Sequence, residues 1–313
     1  MDLNYKIQLA LIKFFKKYGK YLGAIFIIWI IGFSINQILK RNPPKLTLSN
    51  TYTPNVAIMT DNKVPNSQEK EIKETLKKFT DYALAKNYDQ AYNMLTDECK
   101  EFNYGNSLNN FKQRAEKIYQ QGKVAKFQNY SNYRKRYIYK MTITDDILKT
   151  GTSGNYKTYN ELLTVAKVGN EYKIADAGYI DRETAGYKNQ DENIEVEVLS
   201  KDISYKTEQY NVKIKNKTDK YIIIADSSAA SEVTIDVEGE IRNATNTDQQ
   251  GIILYPGETI TRSLNFYNYF DLGKRATKLS FNVVRILENF TGTEKNSSKL
   301  ASKVYSFNIK LSK

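Results

Sequence analysis

The stretch Val165 to Ile174, VAKVGNEYKI, reads as the end of one strand, a two-residue hinge and the start of the next. Apolar residues alternate with polar ones on both sides of Gly169-Asn170. That pair suits a type I′ turn, whose two central residues both need positive φ. Working backwards, Tyr159–Lys167 and Glu171–Ala175 are predicted strands. Tyr133–Thr144 also alternates: Tyr133, Lys135, Tyr137, Tyr139, Met141 and Ile143 on one side, and Arg134, Arg136, Ile138, Lys140, Thr142 and Thr144 on the other. This predicts one half-buried strand, with the period of two setting in at Lys123. Upstream the period is helical. Ile72, Leu76, Phe79 and Ala83 share one face of a helix over Glu69–Ala85. Tyr88, Ala91, Tyr92 and Leu95 align on a short second helix. Ser107 suits the N-cap of a third, with Phe111, Ala115, Ile118 and Tyr119 facing inward.

Helices followed by a meander of strands resemble the nuclear-transport-factor-2-like cone fold. Two stretches carry the likeness: Ala83–Leu95 (ALAKNYDQAYNML), similar to that family's small helix pair, and Val165–Ile174, similar to its closing hairpin. The resemblance implies a cone-shaped domain of helices on an antiparallel sheet over residues 68–182. It also implies a pocket, which in some relatives is an active site built on Asp or His.

Downstream, DRETAGYKNQDEN (Asp181–Asn193) is polar throughout and reads as a break, with a linker at 183–193. Beyond it the period is two. Ile194, Val196 and Val198 alternate, as do Tyr210, Val212 and Ile214, then Val233, Ile235 and Val237. Leu279, Phe281 and Val283 follow, and Tyr305, Phe307, Ile309 and Leu311 close the chain. Short strands separated by turn signals predict a β-sandwich over 194–313. Leu254-Tyr255-Pro256-Gly257-Glu258-Thr259, followed by Leu264 and Phe266, resembles the edge turn of bacterial immunoglobulin-like envelope modules. The Cys and Trp hallmarks of antibody domains are absent.

At the other end, Tyr21–Leu39 (YLGAIFIIWIIGFSINQIL) is apolar and long enough to cross a bilayer. It predicts a transmembrane helix over 21–39, preceded by a basic amphipathic segment over 1–20 and followed by a Pro-containing linker over 40–67. Residues 1–45 hold eight Lys/Arg and one Asp, so most of the net charge of +12 lies there. By the positive-inside rule the expectation is a cell-membrane protein with a cytoplasmic N-terminus and the bulk of the chain extracytoplasmic. Gly32-Phe33-Ser34 offers the alternative of a cleaved signal peptide. The expected class is therefore α+β: one transmembrane helix, a cone domain and an immunoglobulin-like sandwich.

The 313 residues contain no His and a single cysteine, Cys99, which excludes His-based triads, His metal sites, an internal disulfide and a Cys-based zinc cluster. Cys99 reads as a small core residue, and Tyr82, Tyr88, Tyr92 and Tyr119 as core aromatics. Asp81, Asp89 and Asp97 fall at helix-surface positions. No pair of carboxylates is assignable to the pocket, so the chain is expected not to be an enzyme, and no cofactor or metal is expected. The run Tyr130–Lys140 interleaves rings and cations in a manner that suits single-stranded nucleic acid. Alternation, however, separates rings from cations, so nucleic acid is not expected as a partner. Arg134, Arg136 and Lys140 instead form the candidate partner-binding face. A single-pass anchor with a cone domain is similar to the scaffold subunits of conjugative type IV secretion systems. That likeness implies a non-enzymatic envelope assembly protein, with the membrane, other envelope proteins or further copies as partners. The alternative is a cell-wall-associated or small-ligand-binding module that uses the cone pocket.

Overall fold

The computed structural model describes residues 12–14, 16–19, 64–120, 122–146, 158–224, 232–245, 251–268, 272–290 and 300–311. The chain forms two compact units, Met1–Thr53 and Pro54–Lys313. In the first, residues 12–14 and 16–19 are helical, and the Phe14 and Tyr18 rings lie 5.1 Å apart, one turn from each other. The expected span over 21–39 and linker over 40–63 lie outside the described residues. Among the described residues no helix is long and apolar enough to cross a membrane. The expected single-pass anchor, and the membrane localisation drawn from it, are therefore unsupported and are withdrawn.

The second unit opens with four helices: α1 (Asn66–Leu84), α2 (Tyr88–Asn93), α3 (Asp97–Tyr104) and α4 (Leu108–Ile118). On α1 the predicted face, Ile72, Leu76, Phe79 and Ala83, is fully buried. Ser107 caps α4 by accepting from the Asn110 amide at 3.3 Å. Helix α3 has no counterpart in the apolar periodicity. It is set by its ends: Thr96 accepts from the Cys99 amide, and Gly105 terminates it at φ 57°.

Strands β1 (Lys123–Tyr133), β2 (Arg136–Asp145), β3 (Tyr159–Val168) and β4 (Glu171–Ala175) form an antiparallel meander against these helices. Tyr133–Thr144 is not one strand. Arg134 and Lys135 both take positive φ, 45° and 65°, and fold a two-residue hairpin between β1 and β2, with Tyr133 opposite Arg136. At Gly169-Asn170 only the glycine takes a positive φ, 60°, so the turn is not of type I′.

The remaining strands are β5 (Tyr179–Gln190), β6 (Ile194–Ser204), β7 (Thr207–Asn216), β8 (Tyr221–Ile224), β9 (Val233–Val237), β10 (Glu240–Asn243), β11 (Ile252–Leu254), β12 (Thr259–Tyr267), β13 (Ala276–Leu287) and β14 (Ala301–Lys310). One sheet runs β12-β7-β6-β5; the other runs β10-β9-β13-β8-β11, with β14 also on β13. Their inward faces share one core, which includes Val196, Val212, Ile235, Phe266, Phe281 and Ile309. A bulge between Phe281 and Val284 moves the buried position from Val283 to Val284.

Two corrections follow. The α+β expectation is overturned: of the described residues 54% are in strands and 24% in helices, and the sheets are antiparallel, so the chain is mainly β. Part of the difference lies at 183–193, where the expected linker is largely strand β5. Its charges are not solvated spacers. Asp181 pairs with Arg136 at 2.7 Å, Arg182 with Asp202 and Glu101, and Glu183 with Arg134 and with Lys201. A small cluster of Ile138, Ile180 and Ile203 adds apolar contact between β2, β5 and β6.

Candidate functional site

Of the predicted face Arg134, Arg136 and Lys140, only Arg136 and Lys140 lie on a strand, β2, and share one side of it by alternation. Arg134 sits in the β1–β2 turn and pairs with Glu183, and Arg136 pairs with Asp181. Both guanidinium groups pair with carboxylates of β5. Lys140, in contrast, has no carboxylate partner among the described residues and lines a cavity of about 660 Å³. The expected aromatic side of β2 is core: Tyr137 and Tyr139 pack with Met141, Leu163 and Val165 against the helices.

Each wall of the cavity has a local cause. A bulge between Asn129 and Ser131 leaves Tyr130 without a cross-strand partner and turns it into the cavity. Beyond Ala175 the chain turns through Ala177 (φ 54°) and Gly178 (φ 75°). This turn presents the Gly178 carbonyl to the amide of Tyr205, at 2.8 Å, in the tight connection from β6 to β7. Tyr205 then donates from its hydroxyl to that of Tyr130 at 2.9 Å, with their rings edge to face at 5.5 Å. The tip of the β6–β7 hairpin thus closes a pocket whose other sides are Phe102 of α3, Arg114 of α4, Lys140 of β2 and Tyr159, Glu161 and Leu162 of β3.

Glu161 is the unexpected member. Its carboxylate accepts from Arg114 and from the Ala177 amide (2.8 Å) through Oε1, while the buried Oε2 makes no hydrogen bond. Tyr159 stands close enough to feel this carboxylate, and burial together with the Glu161 charge pushes its phenol up. Behind Glu161 lies a second carboxylate, Asp176, fully enclosed. It accepts from Tyr104, from the Cys99 thiol at 3.3 Å and from Asn103. Burial pushes both carboxylates up, and the Asp176 charge adds to the effect on Glu161, which rises to about 7 despite Arg114. The charges explain why. Arg114 is the cation paired directly with Glu161, and Asp176 is met by neutral donors alone, so two buried carboxylates face one guanidinium and a proton makes up the difference. Three side-chain donors offset part of the rise at Asp176, and Arg114 and the Ala177 amide part of the rise at Glu161.

Cys99 is buried, and both burial and Asp176 hold its thiol well above the ordinary range, so it is a packed donor rather than a nucleophile. Tyr88 and Tyr119 are buried, and Tyr82 and Tyr92 pack half-buried against the same core. Asp81, Asp89 and Asp97 are solvent-facing, with more than half of each side chain exposed. Glu161 and Asp176 were hidden from sequence reasoning, although a signal existed. Glu161 shares its side of β3 with Leu163 and Val165, so alternation places a carboxylate in an apolar row. Among the described residues no group of acidic or thiol side chains is arranged to hold a metal ion. No protein-family model, no characterised protein and no solved structure matches this chain.

Proposed function

We propose that the chain is a small-molecule-binding protein, not an enzyme, and that its ligand is a small organic acid with a ring body. The observation that carries this reading is the cavity of about 660 Å³, lined by Lys140 and Lys206, neither with a carboxylate partner among the described residues, and by the rings of Phe102, Tyr130, Tyr159 and Tyr205. Its volume falls within the usual range for ligand pockets, and few but converging polar groups in a largely apolar lining are the usual pattern. Lys140 would take the acid group. Tyr130, Tyr205, Phe102 and Tyr159 would flank the ring. Binding without turnover is favoured because the two carboxylates do not act on one point: Asp176 is turned away from the cavity and enclosed by Tyr104, Cys99 and Asn103.

The assembly reading rested on the anchor, which is unsupported, and its candidate contact residues Arg134 and Arg136 pair with Glu183 and Asp181. The test of the binding reading is saturation-transfer NMR of the chain with para-hydroxybenzoate and glucuronate, against benzyl alcohol and glucose as uncharged counterparts. The acids are expected to receive magnetisation and the neutral compounds not to, with Lys140→Ala abolishing the effect. Equal transfer to acids and neutral compounds, or transfer that survives Lys140→Ala, would remove the reading.

A further inference from the structure

A second cavity, of about 520 Å³, lies over the middle of the β5–β6 ladder, lined by Arg134, Glu183, Thr184, Lys201, Tyr210 and Arg275 among others. Three cations reach it from three elements. Arg134 comes from the β1–β2 turn, Lys201 from β6, and Arg275 from the residue just before β13. Their anionic neighbours are fewer. Glu183 is shared between Arg134 and Lys201 and also accepts from Tyr133 at 3.2 Å. Glu208 lies 3.8 Å from Lys201 and accepts from Tyr210 at 2.9 Å. The Arg275 guanidinium has no carboxylate partner among the described residues. Three cations thus answer to two carboxylates, both already occupied.

We propose that this cavity binds a tetrahedral oxyanion, free phosphate or sulfate or the phosphoryl end of a small ester, clamped by Arg275, Lys201 and Arg134. The bulge between Thr184 and Tyr187 in β5 opens the space, and Thr184 on its wall would supply a neutral donor. Like charges held together in a partly enclosed site repel, and an oxyanion relieves that repulsion while accepting several charge-assisted hydrogen bonds. Lys201 registers the strain. Its side chain is 12% exposed, and burial, with the charges of Arg134 and Arg275 added, holds its ammonium below the ordinary lysine range even against Glu208.

The experiment is thermal unfolding of the full chain in inorganic phosphate, sulfate and glycerol phosphate, each against chloride at equal ionic strength, with phosphorus NMR line broadening as a direct readout of binding. Phosphate or sulfate is expected to raise the unfolding midpoint beyond chloride. Arg275 is exposed and makes no ion pair among the described residues, so Arg275→Ala is expected to fold and to raise the half-saturating phosphate concentration about tenfold, the loss of one charge-assisted contact. Arg275→Lys is expected to retain part of the affinity. Glycerol phosphate binding better than phosphate assigns the anion to the end of a larger molecule; equal binding assigns it to the free ion. Either result supports the site. An oxyanion effect no greater than that of chloride would overturn the proposal. So would an effect unchanged in Arg275→Ala but lost in Lys140→Ala, which would place the anion in the first cavity.

Discussion

Glu161 holds a proton in the folded chain that it surrenders on unfolding, because its folded value near 7 stands above the ordinary 4.5. The sign follows directly. The stability linked to this group is fully present below about pH 4.5 and is lost as pH rises through about 7. Glu161→Gln cannot ionise but still offers an amide oxygen to Arg114 and to the Ala177 amide. In urea denaturation the variant is therefore expected to gain on the parent across that window, by up to roughly 3 kcal/mol at its alkaline end. Parallel pH profiles for the two proteins would show that Glu161 is ionised throughout. The basic residues divide in the same manner. Arg136 pairs with Asp181 at 2.7 Å with both side chains mostly buried, whereas the Arg134 side chain is 39% exposed. Arg136→Ala should cost about 1–3 kcal/mol through the stranded carboxylate, and Arg134→Ala about 0.5 kcal/mol or less. Equal losses would mean that burial does not separate them. Alternation along a strand places residues on faces, and it placed Tyr137, Tyr139 and Met141 on one side, where all three are buried. It says nothing of which charged residue finds a partner on a strand many residues away, and so it offered Arg134 and Arg136 to a partner although the fold had used them.

Strand β5 shows the same limit at the next scale. Thirteen mostly polar residues without an apolar period read as a spacer, yet in the fold this stretch supplies most of a long strand whose charges pair with the β1–β2 turn, β2, α3 and β6. Each ion pair there joins parts of the chain that no local pattern connects. The Arg134-Lys135 hairpin was missed for a different reason. Its two left-handed residues lack the Asn and Gly that normally announce such a turn, and tertiary pairing of β1 with β2 overrides the local cost. By contrast α1, the Ser107 cap and the alternating rows of β6, β7 and β9 were legible, because amphipathic period and capping chemistry are local. If β5 is a paired strand, limited digestion of the native chain with trypsin should leave Arg182 and Lys188 uncut while the β sheets persist. Early cleavage at either residue, yielding two resistant fragments that part there, would restore the linker and place the boundary between separate folding units within 183–193.

At the scale of the compact unit Pro54–Lys313, one core lies beneath the helices, another between the last two sheets, and the Ile138–Ile180–Ile203 cluster ties the strands between them. The ligand cavity sits beside this tie. It needs the Tyr130 bulge and Lys140 from the sheet of β1 to β4 and the Tyr205 turn from the sheet of β5, β6, β7 and β12, which is why no single stretch of sequence announces it. The central claim is that this cavity, and not another groove, receives a small acid through Lys140. Methyl NMR of the chain titrated with para-hydroxybenzoate tests it most directly. Leu162 and Ala177 line the cavity, and Leu84, Ala85 and Val124 line a separate groove between α1 and β1. The account predicts saturable shifts at Leu162 and Ala177, none at Leu84, Ala85 or Val124, and loss of the shifts in Lys140→Ala. Shifts centred on the α1–β1 groove, or none at Leu162 and Ala177, would contradict it.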